Sequence, residues 1–286
     1  MCKTTYSFGF GFSIFARMEL LASLAFIDWN ADPEIFSLGP FTVRWYGLLF
    51  ALGFFVGQFI MARIYKLEGK PEADLEILML YMIISTVVGA RLGHCLFYQP
   101  DYYLAHPIDI LKVWEGGLAS HGATVGILFG LWLYTRKRPD QPYIWLLDRI
   151  VIVVALGGGF IRLGNLMNSE IIGSPTDVPW AFIFHKVDEL PRHPAQLYEA
   201  ISCFLLFIAL YFSYNQHKEK TPPGRLFGLF VWVLFSLRIG YEFFKENQVP
   251  FEDALPLNMG QILSIPLVLI GLWIYIRSFQ TKSTTA

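Results

Sequence analysis

Charged side chains are scarce in this chain: they make up 16% of its 286 residues, against 55% hydrophobic residues and a mean hydropathy of +0.47. Soluble domains carry about 25% charged residues, so the shortfall excludes an ordinary soluble fold and points to a polytopic membrane protein. Cysteine is sparse as well. Cys2, Cys95 and Cys203 stand far apart with no CxxC or Cys/His spacing, which supports neither a disulfide framework nor a zinc site. There is no basic excess either. The net charge of -1 gives no sign of a nucleic-acid partner, and in a membrane protein the placement of each charge matters more than the sum. The amino end lacks an uninterrupted signal-peptide core: residues 1 to 27 are rich in Phe and Gly but carry Lys3, Arg17 and Glu19, with no cleavage site. They are expected to be a dispensable or misassigned extension, with Met18 as the start and residues 1 to 17 removable. A single membrane domain then runs from 28 to 286.

What the chain has in abundance is apolar runs of membrane-spanning length. Seven spans are expected, over about 45–62, 75–97, 117–135, 144–166, 196–214, 226–244 and 260–276. The fold class is therefore all-α. Trp45 and Tyr46 form an aromatic entry to the first span, and its Gly53 and Gly57, four apart, permit close helix packing. The third span repeats glycine at 122, 126 and 130, a stripe suited to tight contact with a neighbouring helix. The aromatic, Pro-containing connector from Pro100 to Trp114 reads as interfacial, and a polar segment, 168–194, separates spans four and five.

The basic residues orient these spans. One set of alternate loops holds eleven: Arg63, Lys66, Lys70, Arg136, Lys137, Arg138, Lys218, Lys220, Arg225, Arg277 and Lys282. The other set holds four: Lys112, Lys186, Arg192 and Lys245. Positive residues stay cytoplasmic, so the amino end is expected outside, the carboxyl end inside, and 168–194 on the extracytoplasmic side. Counting along each helix then places Arg162 about 20 Å above Arg149, Arg238 about 20 Å above Arg225, and His121 about 22 Å above Arg136. Three helices thus set cationic or ionisable groups at one level in the outer half of the hydrocarbon core, with Tyr46 and Glu242 slightly higher.

The stretch from Gly157 to Gly173 is the strongest candidate for an active-site element. Arg162, Asn165, Asn168 and Glu170 follow a run from Val151 to Ile161 that has no charge, and a charge in mid-membrane costs about 2.5–3.5 kcal/mol on insertion scales. Glycines at 157, 158, 159, 164 and 173 weaken a regular helix, and irregular backbone at that depth survives only where protein or a wet cavity surrounds it. The stretch is expected to break the helix and line a cavity.

Bland readings stand beside the functional ones. Arg238 and Glu242, four apart, can neutralise each other, whereas Arg162 has no such local partner. Asp148 and Arg149 fit snorkelling or a structural ion pair. Arg91 and His94 fit a structural network as well as ligand contact. His121, between Gly117 and Gly122, lies on the small-residue face and is expected to point into the bundle, as a base or as a merely hydrogen-bonded histidine. Paired guanidinium groups hold phosphate and stabilise charge growing on a phosphate leaving group, and a lipid headgroup is the anion found at that depth. A neutral imidazole can take a proton from a nucleophile, with Glu170 or Glu242 as orienting carboxylates. No serine or cysteine stands out as an attacking group, which favours direct transfer between two bound substrates.

These residues also carry a resemblance, extending from about Ile35 to Ile276. The run Gly159-Phe-Ile-Arg162-Leu-Gly-Asn165-Leu-Met-Asn168-Ser-Glu170-Ile-Ile-Gly173 is similar throughout to the signature of the prolipoprotein diacylglyceryl transferases, bacterial membrane enzymes. Segments resembling others of that family follow in its order: Arg44 to Gly47, Trp114 to Gly122, Arg192 to Glu199, Arg238 to Phe244 and Met259 to Pro266. The chain departs at Ala119, where serine is common, at Ala123, where a second glycine is, and at Lys245, where arginine is often found. A lysine keeps the charge but loses the bidentate fork, which puts any phosphate role at 245 in doubt.

The resemblance implies transfer of diacylglycerol from phosphatidylglycerol to the lipobox cysteine of a preprolipoprotein, in the bacterial plasma membrane, without metal or other cofactor. It implies His121, Arg162, Arg238 and Tyr46 as catalytic residues. Arg162, Asn165, Glu170, Gly173, Arg238 and Glu242 would bind the phospholipid. Two other classes remain possible on the residues alone. An ion- or proton-coupled transporter would also place ionisable groups in broken helices, but the chain has no repeated half with matching broken spans. An intramembrane serine protease would need Ser120 or Ser169 as nucleophile, neither in a Gly-x-Ser-x-Gly context.

Overall fold

The structure, a computed structural model, describes residues 26–39, 41–113, 116–245 and 257–280. The expectations for residues 1 to 17 and for Met18 fall outside them. Eight α-helices are described: α1 Trp45–Leu67, α2 Glu72–Phe97, α3 Pro100–Ala105, α4 Ser120–Thr135, α5 Tyr143–Met167, α6 Ala195–His217, α7 Arg225–Tyr241 and α8 Met259–Gln280. Six of them, α1, α2, α5, α6, α7 and α8, are long and apolar enough to cross a membrane. The expected third span is α4, whose 16 residues give about 24 Å of helix against about 30 Å of hydrocarbon. Ten of the twelve ends of the six long helices fall within three residues of the expected bounds; α1 and α8 run on further at their carboxyl ends, because backbone amides keep pairing past the last apolar residue. Thus α1 continues through Arg63 and Lys66 to Leu67.

The chain divides into two compact units, Met1–Gly53, Leu156–Leu206 and Val233–Val268 in the first, Phe54–Ala155, Phe207–Trp232 and Leu269–Ala286 in the second. The first holds all the described strands: β1 Ile27–Trp29, β2 Glu34–Leu38, β3 Phe41–Arg44, β4 Phe182–Phe184 and β5 Pro191–Arg192. β2 and β3 form an antiparallel hairpin, while β1 runs parallel to β4 and β5 antiparallel to β4. The segment from 168 to 194 is thus a small folded layer. Its apolar core is Leu166, Phe182 and Phe184, with Trp29 and Leu197 packed on it, and the Trp29 indole N–H donates to the Leu166 carbonyl at 3.0 Å.

β1 is fastened to this layer by a histidine. The His185 ring meets Asp28 through Nε2 at 3.1 Å and Glu189 through Nδ1 at 2.9 Å, while its backbone N–H donates to the Trp29 carbonyl. Glu189 first, then Asp28, holds the imidazolium above its ordinary pKa. A raised pKa contributes stability that is complete below the unfolded value of about 6.5 and fades as pH rises through the folded one. Hydrogen exchange at Ile27–Trp29, corrected for its intrinsic pH dependence, should therefore accelerate as pH rises above about 6.5 and through the raised folded value. His185→Ala should flatten that dependence.

The second unit explains the glycine stripe. A Cβ on Gly126 would lie 2.8 Å from the Gly89 Cα, and one on Gly93 would lie 2.6 Å from the Gly122 Cα, so α2 and α4 touch backbone to backbone. Gly130 meets Ser85 in the same row. Arg149, 1% exposed, forms a two-pronged pair with Glu68, both distances 3.1 Å, and Trp145 and Tyr214 also donate to that carboxylate. Asp148 accepts the Gly224 and Phe227 amides at the start of α7. Both residues are therefore structural, and their buried charges persist because every oxygen finds a donor.

Candidate active site

The glycine-rich stretch does not break its helix. α5 is continuous from Tyr143 to Met167, and irregular backbone begins only beyond it, with positive φ at Ser169 (55°) and Ile171 (56°). The expected break is thus corrected: with no water to take up freed amides, helical bonding outweighs the roughly 1 kcal/mol per glycine that propensity costs. Gly159 and Gly164 serve close approach instead. A Cβ on Gly164 would fall 2.7 Å from the Tyr46 ring, and one on Gly159 would fall 2.5 Å from the Phe204 ring. Tyr46 at the start of α1 is thereby seated directly on the motif helix.

Around this contact the first unit gathers a linked set of polar groups. Arg162 pairs through Nε with Glu199 on α6 at 2.6 Å and donates through Nη1 to Asn165 at 3.3 Å. Asn165 donates in turn to Glu170 at 3.0 Å, and Asn168 donates to the other Glu170 oxygen at 3.2 Å. The tight turn after Met167 brings these side chains together: the Glu170 N–H bonds the Asn165 carbonyl, and the Gln196 amide bonds the Glu170 carbonyl. Gly173 sits where its N–H meets the His193 carbonyl and its carbonyl accepts from Arg192, and a Cβ there would strike His193 and Phe244. Only glycine fits. His193 is half-buried, which pushes its imidazole below the ordinary pKa, and its Nδ1 lies 3.1 Å from the Tyr198 hydroxyl.

The second arginine enters from α7. Arg238 stands 3.9 Å from Glu242, a looser pair than the four-residue spacing suggested, and its side chain is 49% exposed. Glu242 has nearer partners: Asn258 donates to it at 3.1 Å and Lys245 lies 3.7 Å away. Lys245 also pairs with Glu199. A chain of contacts therefore runs Arg238, Glu242, Lys245, Glu199, Arg162, Asn165, Glu170. Among the described residues Arg162 Nη2 and the two terminal nitrogens of Arg238 make no hydrogen bond. Planar N–H donors left open on two arginines are what a tetrahedral anion requires.

Glu199 and Lys245 were absent from the expected site. Glu199 had a signal, a carboxylate one turn into an apolar span, but its tie to Arg162 joins two helices and no spacing displays it. Of the expected set, Tyr46, Arg162, Asn165, Glu170, Gly173, Arg238 and Glu242 all fall in the first unit, and His121 in the second. His121 does not point into a helix interface. Its side chain is exposed, edge-on to Phe97 at 5.3 Å and near Tyr98 at 5.8 Å, because the neighbouring Gly122 takes the packed face and the side chain one residue earlier turns about 100° away. Arg91 is buried and spends its donors on the carbonyls of Asp109, Ile110, Gly116 and Gly117, a structural clasp on the connector, and His94 stacks on Tyr98.

Comparison with known proteins gives the family. The model of the prolipoprotein diacylglyceryl transferase family matches residues 33–277. A phosphatidylglycerol–prolipoprotein diacylglyceryl transferase of Chloroherpeton thalassium is 54% identical over 256 residues, covering 90% of this chain and 96% of the relative. Its counterpart from Tolumonas auensis is 51% identical, covering 89% and 98%, and that from Bacteroides fragilis 47%, covering 90% and 96%. The chain belongs to the prolipoprotein diacylglyceryl transferase family.

Proposed function

We propose that the linked arginine and carboxylate groups of the first unit bind the phosphate of phosphatidylglycerol and carry out transfer of its diacylglyceryl group to the lipobox cysteine of a preprolipoprotein. The sulfur of that cysteine attacks the glycerol carbon bearing the phosphate. A C–S bond forms, the C–O bond breaks with its electron pair staying on oxygen, and glycerol phosphate leaves. Arg162 and Arg238 supply the positive charge that meets the growing negative charge on the leaving group, with their open N–H donors as the observation that carries this role. Asn165, Glu170 and Glu242 orient the two guanidiniums, Gly173 lets the turn after the motif close on His193 and Phe244, and Tyr46 packs over the motif helix beside the reacting headgroup. The resemblance gives His121 the part of base for the thiol, whose ordinary pKa of about 8.5 leaves only a few per cent ionised at neutral pH. No step draws on a metal or other cofactor.

The same reading places α4 as a seventh crossing alongside the six longer helices, with the amino end outside, the carboxyl end in the cytoplasm and 168–194 outside. The site then faces the outer leaflet of the bacterial plasma membrane, where the basic residues, eleven against four, leave it. Reporter fusions test the orientation. A fusion at Arg138 should report cytoplasm and one within 179–189 the outside, and the reverse result would overturn the outer-leaflet site.

The reaction is tested with purified protein, phosphatidylglycerol and a lipobox peptide. A diacylglyceryl thioether on the peptide, detected by mass spectrometry, is the expected product. Peptide cleavage, or substrate movement across a vesicle membrane without a thioether, would replace the transferase by the protease or the transporter.

A further inference from the structure

We infer that Lys245 is a positioning residue for the diacylglyceryl transfer, a buried cation that ties Glu199 to Glu242 and thereby leaves donors on Arg162 and Arg238 open for the anionic lipid. The inference rests on the reading of those arginines as the phosphate site. Lys245 does not face a ligand: its side chain is 6% exposed and both its partners are carboxylates, Glu199 Oε1 and Glu242 Oε1. Each carboxylate is at the same time the partner of one arginine, Glu199 of Arg162 and Glu242 of Arg238. One ammonium group therefore links the two arms of the site.

Its backbone is fixed as well. Lys245 forms a β-bridge with Gly173, and Ser174 donates its N–H to the Phe244 carbonyl at 2.8 Å, so the end of the turn after α7 is stitched to the segment that follows the motif. The cation is thus held in register with Gly173 and not left to a flexible stem.

Charge explains what it does there. The linked set carries three cations, Arg162, Arg238 and Lys245, against three carboxylates, Glu170, Glu199 and Glu242. Removing the lysine charge leaves the set one unit negative, with two carboxylates sharing no cation but the arginines. Each then draws its own guanidinium in more fully, and an anionic headgroup meets fewer open donors in a more negative field. A lysine suits this place better than its role as a phosphate ligand would suggest. A compact ammonium with three donors can sit between two carboxylates without a planar fork.

The test is steady-state kinetics of thioether formation, with phosphatidylglycerol and the lipobox peptide varied in turn. Lys245→Met should raise the KM for the lipid about tenfold with the peptide KM unchanged and kcat less affected, and Lys245→Arg should restore most of the loss. Lys245→Gln separates charge from shape, since its amide can still donate to the carboxylates and hold the fold should the methionine variant not fold. A glutamine variant with raised lipid KM supports the charge role, and one with wild-type lipid KM overturns it. A rise confined to the peptide KM, or to kcat alone, overturns it too. Loss in the Arg162 and Arg238 variants with wild-type kinetics in the Lys245 variants would remove only this inference. Wild-type protein that forms no thioether would remove the reading beneath it.

Discussion

Replacing Arg162 or Arg238 by lysine should lower turnover at neutral pH by about a hundredfold or more, the scale on which loss of one preorganised donor to a developing oxyanion is felt. The charge stays at the same place, but the planar fork does not. For Arg162 the loss is twofold in kind. Nε and Nη1 are already committed to Glu199 and Asn165, so the open Nη2 is what remains for the lipid. A lysine would have to choose between the carboxylate and the phosphate. Raising the pH should not restore either variant, because ionisation of the thiol is not what they lack. His121→Gln should behave differently: its activity should recover in part as pH rises through the thiol's own value of about 8.5. The pH profile of turnover on folded, lipid-saturated protein decides this. If the glutamine variant gains no more from alkaline pH than the arginine variants do, the base is another group and His121 is left with its packing against Phe97 and Tyr98.

The largest stability effect is expected where α2 meets α4. Gly93→Ala puts a methyl 2.6 Å from the Gly122 Cα, and Gly126→Ala puts one 2.8 Å from the Gly89 Cα. No side chain can swing aside, because the obstructing atoms are backbone. Each change should destabilise the protein by about 3 kcal/mol, the upper end for overpacking, and together they should force α2 and α4 apart. Gly157→Ala is the control. A Cβ there meets nothing within 4 Å, so it should be neutral or gain up to about 1 kcal/mol of helix propensity. Thermal unfolding in detergent micelles reads all three. Equal effects at Gly93 and Gly157 would mean that helix propensity and not packing governs the glycines.

Much of this protein was legible in the chain. Uncharged runs located the six long helices to within a turn or so, since burial in lipid is decided by composition along each segment and needs no partner. The motif from Gly159 to Gly173 carried Arg162, Asn165 and Glu170, because groups three to five residues apart at the end of one helix meet locally. The stripe of glycines on α4 announced a close neighbour for the same reason.

The rest was fixed only by the tertiary structure. Glycines at 157 to 164 read as a broken helix, and two of them, Gly159 and Gly164, proved to be places of close approach, as at Gly164 and Tyr46; a missing side chain does not say which use it has. Arg91 read as a possible ligand group, and its fate was set by four carbonyls from a connector 18 to 26 residues away. The sheet joining Ile27–Trp29 to Phe182–Phe184 spans most of the chain and has no local sign. The same holds for the pairing of Arg162 with Glu199 and of both carboxylates with Lys245. Each apolar face and each local turn is written in short-range spacing. An ion pair between helices depends on where separate segments come to lie, and the chain encodes that only through the sum of its packing.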